Sequence, residues 1–150
     1  MVTEIKEFGN KAFKNGDVHL GLEKYQKGLR YLDEYSEEEK DAAASALRFT
    51  LHSNAALLQV KLKSFDEAQT SASHALAVQG ASEADKAKAH YRRALAREGL
   101  RDDEAAMRDL QEAAKLAPGD AAVAKELAAV KKRAADQAKK EKAAYQKFFQ

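Results

Sequence analysis

Apolar residues at helical spacing run along most of this chain, and short polar breaks cut the pattern into seven segments. The first spans about Thr3 to Lys14 and stops at Asn15-Gly16. The second opens on Asp17, an N-cap whose carboxylate can accept from otherwise unpaired backbone N–H groups, and runs to about Glu34. After the acidic linker SEEEK (36–40), the pattern predicts a third helix from about Lys40 to Lys63. Ser64 and Glu67 have the spacing of a capping box for a fourth, which ends near Gln79-Gly80. Ser82 and Asp85 open a fifth that ends near Gly99. A sixth is expected from Asp102 to Leu116, before APGD. Asp120 caps a seventh that meets no further breaker. Tyr25, Leu29, Phe65, Leu76, Leu110 and Leu116 fall at core spacing. Val123, Leu127, Val130 and Ala134 make an apolar stripe on the last helix.

These segments repeat. GNKAFKNGDVHLGLEKYQKGL (9–29), ALLQVKLKSFDEAQTSASHAL (56–76) and ALAREGLRDDEAAMRDLQEAA (94–114) align without gaps. Small residues coincide as Gly9/Ala56/Ala94, Gly21/Ala68/Ala106 and Gly28/Ala75/Ala113. Antiparallel helices approach closely only where side chains are small, so each set marks a helix crossing. Gly9 is therefore expected to sit mid-helix because a neighbour packs on it. From Gly9 to Ala56 to Ala94 the repeat spacing is 47, then 38 residues, with the extra length at 31–41 and 78–83.

Composition narrows the class. The chain is 45% hydrophobic and 33% charged, a globular balance, and Ala, Lys, Glu and Leu dominate, which favours an all-α fold. It has no cysteine, which excludes disulfides, thiolate catalysis and Cys-based zinc sites and fits a cytoplasmic setting. No apolar run approaches the roughly 18–20 residues of a membrane span, and the acidic start MVTEIKEFGN is no signal peptide. Net charge is +2, but residues 121–150 hold eight Lys/Arg against three Asp/Glu (+5), and the other 120 hold 18 against 21 (−3). A slightly acidic body with a basic tail does not suit general nucleic-acid binding.

The segments GNKAFKNGD…GLEKYQKGL, SNAALLQVKLKSFDEAQTSASHAL and HYRRALAREGLRDDEAAMRDLQEAAKLAP resemble a three-repeat tetratricopeptide (TPR) domain, whose unit is about 34 residues. GLRYLDEY, RFTLHSNAALLQVKL, KAHYRRALA and the terminal KEKAAYQKFF narrow the resemblance to the TPR half of cyclophilin 40-type peptidyl-prolyl isomerases, co-chaperones of heat shock protein 90. FK506-binding immunophilins share much of this layout. The resemblance implies three helix hairpins in a right-handed superhelix over residues 1–119 (about 3–34, 40–79 and 82–118), and a capping helix with a basic extension over 120–150.

It also implies a concave groove holding a carboxylate clamp for a free Met-Glu-Glu-Val-Asp C-terminus. The positions that match are Lys6, Asn10 and Phe13 in the first repeat, Asn54 in the second, and Lys88 and Arg92 in the third. Lysine and arginine would supply charge, the asparagines uncharged donors, and Phe13 a wall for the valine. Asn54 stands out by itself as an amide inside the apolar run LHSNAALL. Phe13 equally suits plain core.

Arg93 and Arg97 are expected on an exposed stripe that steers an acidic tail. His19, His52, His74 and His90 are scattered without metal-ligand spacing, so no metal or cofactor is expected. No phosphate loop or nucleophile constellation appears, so this chain is read as an adaptor without catalysis. Rivals are a TPR scaffold for an internal peptide, a receptor for the heat shock protein 70 tail, and an enzyme acting on a small di-acid. The basic end with Tyr145, Phe148 and Phe149 admits a calmodulin-type contact.

Overall fold

The computed structural model describes residues 1–35 and 42–150. The described residues form α1 (Val2–Lys14), α2 (Val18–Tyr35), α3 (Ala42–Lys61), α4 (Phe65–Ala77), α5 (Glu83–Gly99), α6 (Asp103–Leu116) and α7 (Ala121–Phe148), with no strand among them. The linker 36–40 and the expected helix start at Lys40 lie outside the described residues. Each helix packs on the next in sequence. In addition α3 packs on both α1 and α5, so these three helices share one face.

Capping follows the sequence in most places. Leu20 N donates to Asp17 Oδ1 at 2.9 Å, Asp85 N to Ser82 Oγ at 3.1 Å, Ala105 N to Asp102 Oδ1 at 3.1 Å, and Ala122 N to Asp120 Oδ1 at 2.9 Å. The capping box at Ser64 and Glu67 does not form: the Ser64 side chain makes no cap bond. Ser82 caps from an extended backbone (ψ 160), whereas Ser64 sits at ψ 67. Asp102 has a similar ψ of 73 and still caps, because its carboxylate reaches one atom further than a serine hydroxyl. The Ser64 backbone is satisfied otherwise, donating to Gln59 O at 2.8 Å and accepting from Ala68 N at 2.9 Å. Helix α3 stops at Lys61, two residues before the expected Lys63, which adopts φ 61. Helix α4 stops at Ala77, where Val78 turns extended.

All nine aligned small residues are buried, and the six alanines among them are 0% exposed. A Cβ on Gly9 would lie 2.8 Å from Tyr25 Cε1 and 3.3 Å from Gly21 O; one on Gly28 would lie 3.0 Å from Leu51 Cδ1. Glycine at these crossings lets α2 reach α1 and α3. One core cluster gathers Val2, Tyr25, Leu32, Ala44, Leu51, Ala55 and Leu58. A second joins Ala94 of α5, Ala106 and Leu110 of α6, and Val130 of α7. Of the core candidates Tyr25 and Leu110 are buried, while Leu29, Phe65, Leu76 and Leu116 are half-buried. Val123 and Val130 are buried, Leu127 and Ala134 half-buried, and every residue after Ala134 is exposed.

Candidate functional site

The shared face of α1, α3 and α5 holds a groove of about 550 Å³ lined by Asn10, Phe13, Tyr25, Asn54, Leu58 and Arg92, with Glu7, Lys11, Lys14 and Leu57 around them. Four of the six candidate residues, Asn10, Phe13, Asn54 and Arg92, therefore meet at one place, although the sequence separates Asn10 from Arg92 by 82 positions. Lys6 and Lys88 are not part of this lining. Each lies one helical turn, about 6 Å, before Asn10 or Arg92 and on the same side of its helix. Lys6 is half-buried and Lys88 exposed. Phe13 packs against the first core cluster and also lines the groove. The Lys61 ammonium stands 5.6 Å from the Phe13 ring centre.

A chain of hydrogen bonds crosses the groove floor. Arg92 Nη1 donates to Ser53 O and Ser53 Oγ, both at 2.8 Å, and to Asn54 Oδ1 at 3.3 Å. The Tyr25 hydroxyl donates to Asn10 Oδ1. Each asparagine oxygen thus accepts from a protein donor. An amide nitrogen carries two hydrogens, so donor capacity remains on each asparagine. Burial pushes the Arg92 pKa down, with the nearby Tyr25 opposing; burial pushes Tyr25 up, against the neighbouring Asn54 amide and the Arg92 charge. Among the described residues Arg92 has no carboxylate partner. A half-buried guanidinium held only by neutral oxygens, beside amide donors, is a place for an anion.

Arg93 and Arg97 do not form the exposed stripe expected of them. They project on another side of α5 and converge on Asp109 of α6, which is 2% exposed. Arg93 Nη2 lies 2.8 Å from Asp109 Oδ1, and Arg97 Nη1 2.7 Å from Oδ2. His90 Nδ1 is 2.8 Å from Oδ1. Arg93 Nη1 also donates to Ser73 Oγ at 3.1 Å and Arg97 Nε to Gln69 Oε1 at 2.9 Å, both on α4. Burial raises the Asp109 pKa, but the His90 and Arg93 bonds and the Arg93 and Arg97 charges outweigh it and hold it low. Of three neighbouring arginines, two share one buried carboxylate and Arg92 is left to the groove.

The other histidines are distributed as follows. His19 is exposed; His52 and His74 stack edge-on with ring centres 5.1 Å apart. Burial, with His74 beside it, lowers His52 to about 4, so it is neutral near pH 7. Among the described residues no group of three or more His, Asp or Glu could hold a metal ion, and no helix is long and apolar enough to cross a membrane. Tyr145, Phe148 and Phe149 are exposed and stack on one another at the end of α7.

Sequence reasoning missed Tyr25 and Ser53 as parts of the site. Tyr25 falls at core spacing, and only its hydroxyl, at a position where phenylalanine would pack as well, signals a polar task. Lys14 was also legible: it repeats the Lys6–Asn10 interval of four along α1.

No family model matches the chain. A peptidyl-prolyl cis-trans isomerase D of Cryptococcus neoformans var. neoformans is 39% identical over 156 residues, covering 97% of this chain and 42% of that protein. The chain thus spans less than half the length of this curated relative. Among solved structures, the first TPR of Spaghetti (RPAP3) bound to the HSP90 peptide SRMEEVD matches with TM-score 0.72 and 27% identity, covering 89% of this chain and 93% of that one. The second TPR domain of human RPAP3, in complex with the HSP70 peptide SGPTIEEVD, matches with TM-score 0.68 and 27% identity over 85% of this chain and 92% of that one.

Proposed function

Since the chain is an all-α TPR domain of the peptidyl-prolyl isomerase D kind, we propose that its groove captures the acidic C-terminal Met-Glu-Glu-Val-Asp tail of heat shock protein 90 through a carboxylate clamp. In this reading residues 1–119 are three repeats, 120–150 cap them, and the chain is the non-catalytic adaptor that docks an isomerase onto the chaperone. The observation that carries it is Arg92: its charge faces the groove, hydrogen-bonded to Ser53 and Asn54 oxygens and unmatched by a carboxylate among the described residues.

The chemistry follows from the donor inventory. A terminal aspartate presents two carboxylates, its side chain and the chain end. Arg92, Lys6 and Lys88 would supply cations, and Asn10 and Asn54 N–H donors that add no charge of their own. Phe13 and Leu57 offer apolar surface to the penultimate valine. Each charge-assisted bond contributes about 1.5–3 kcal/mol net, and the ordering of a flexible tail offsets much of the sum. The balance is low-micromolar affinity, about −8 kcal/mol. End-capture of this kind requires a free carboxylate.

Calorimetric titration with the free-acid pentapeptide and with its C-terminal amide tests the reading. The acid should bind and the amide should lose most of the affinity. Lys88→Ala and Arg92→Ala should each weaken acid binding; wild-type affinity in both would rule the clamp out.

A second reading has its own support in the HSP70-peptide complex of the RPAP3 domain, since SGPTIEEVD and SRMEEVD end in the same four residues. The clamp residues would touch that shared end. Competition between peptides ending Met-Glu-Glu-Val-Asp and Ile-Glu-Glu-Val-Asp assigns the preference.

A further inference from the structure

Tyr25 comes from α2, yet its hydroxyl emerges in a groove built by α1, α3 and α5. Its ring, 2% exposed, reaches there through the gap left by Gly9, where even a methyl carbon would stand 2.8 Å from it. At the groove floor the hydroxyl donates to Asn10 Oδ1, with Asn54 lining the same groove. Asn54 Oδ1 in turn accepts from Arg92, which is anchored on Ser53. The four side chains therefore have a fixed polarity. Asn54 points its oxygen at Arg92, and Tyr25 gives its single hydrogen to Asn10, so the Asn10 oxygen is turned inward and its nitrogen is left for the groove.

We infer that Tyr25 is a specificity-determining positioning residue of this groove: by donating to the Asn10 oxygen, its hydroxyl presents the Asn10 amide donors to the ligand and makes the site select a carboxylate over a carboxamide. The inference rests on the acidic-tail reading and adds to it the cause of discrimination at an uncharged pair of residues. Asparagine alone is ambivalent, because a half-turn of the amide exchanges donor for acceptor. With its oxygen outward, Asn10 would repel a carboxylate and accept from a carboxamide NH₂. The tyrosine hydroxyl removes that option. A phenylalanine would fill the same space and leave the choice open.

The test is Tyr25→Phe, which deletes one oxygen and keeps the ring. Wild type and variant are each titrated with the free-acid and amidated pentapeptides, with melting temperatures recorded alongside. The variant should melt within about 5 °C of wild type and bind the acid about 3- to 10-fold more weakly, the worth of one or two net hydrogen bonds. Its affinity for the amide should hold or rise, so that the acid-to-amide ratio falls. An unchanged ratio in a folded variant overturns the inference and leaves the clamp standing. A wild type that does not distinguish acid from amide overturns both. Should Tyr25→Phe unfold, wild type decides through proton NMR. The Tyr25 hydroxyl proton should be visible, slow to exchange, and close in space to the Asn10 side chain; a hydroxyl that exchanges freely with water overturns the proposal.

Discussion

Arg92, Arg93 and Arg97 lie within six positions of one helix and meet two different fates, each set by partners that α5 itself does not contain. Arg93 and Arg97 spend their charge on Asp109, and Arg92 keeps its own for the groove. Arg92→Ala should therefore weaken free-acid peptide binding about 10- to 100-fold, the equivalent of about 1.5–3 kcal/mol, with little change in melting temperature. Arg92→Lys should restore only part of this, because one ammonium cannot reproduce a planar fork that bonds Ser53 and Asn54 while facing a ligand. Calorimetry on both variants checks the order. Gly9→Ala belongs to the same scale. The new methyl would meet the Tyr25 ring and the Gly21 carbonyl, and overpacking of this kind costs about 1–3 kcal/mol. Since Tyr25 would have to move, thermal melting and peptide affinity should fall together. The sequence announced Gly9 as a crossing, because two alanines recur at its offset, and it announced Asn54 as an amide out of place. It could not place Arg93 and Arg97. Their spacing of four looks the same whether the stripe faces water or a buried acid, and Asp109 stands on the next helix with nothing local to mark it as buried.

Between elements, the docking of α7 depends on carboxylates at close quarters. Glu98 of α5 bonds Arg133 of α7 at 3.1 Å, while Arg133 also holds Asp103 of α6 at 2.9 Å. The other Glu98 oxygen is buried without a hydrogen-bond partner, near Glu126 of α7. Burial, followed by the neighbouring Glu126 carboxyl, raises Glu98 to about 7 despite Arg133. A folded-state value above the unfolded one of 4.5 means that the folded protein binds more protons between those two pH values. This contribution to stability is therefore present below about pH 4.5 and is lost as pH rises through about 7. Melting temperatures at constant ionic strength should show this fall against the other titrations, and Glu98→Gln, which keeps the shape without the charge, should flatten it between pH 5 and 8. Asp109 acts in the opposite sense. Its lowered pKa gives stability that is present above the ordinary carboxylate range and is lost in acid. Replacing it by alanine would strand two half-buried guanidinium groups between α4, α5 and α6, at a cost of about 3–5 kcal/mol.

For the molecule as a whole, the apolar and charged parts of α7 do separate work. The stripe Val123, Leu127, Val130, Ala134 was legible because it recurs at helical spacing beside a capping aspartate, and Val130 completes the cluster of Ala94, Ala106 and Leu110. The absence of burial beyond Ala134 was not legible, since alanines and aromatics continue to the end at a spacing that would equally suit a covered helix. Two truncations separate these regions. Ending the chain after residue 137 removes no buried side chain and keeps Arg133, so melting temperature and peptide affinity should both match the full chain. Ending it after residue 119 uncovers Leu110 and the two alanines at 0% exposure, and deletes the Arg133 bridge to Glu98 and Asp103. Losing buried Val123 and Val130 alone forfeits about 1.5–3 kcal/mol each. The shorter chain should melt well below the longer one or fail to fold. If it stays folded, its peptide affinity should persist, because α7 contributes no residue to the groove that Asn10, Asn54 and Arg92 line. A long truncation that left melting unchanged would show that α5 and α6 are stable without the seventh helix, and would remove α7 from the folding unit.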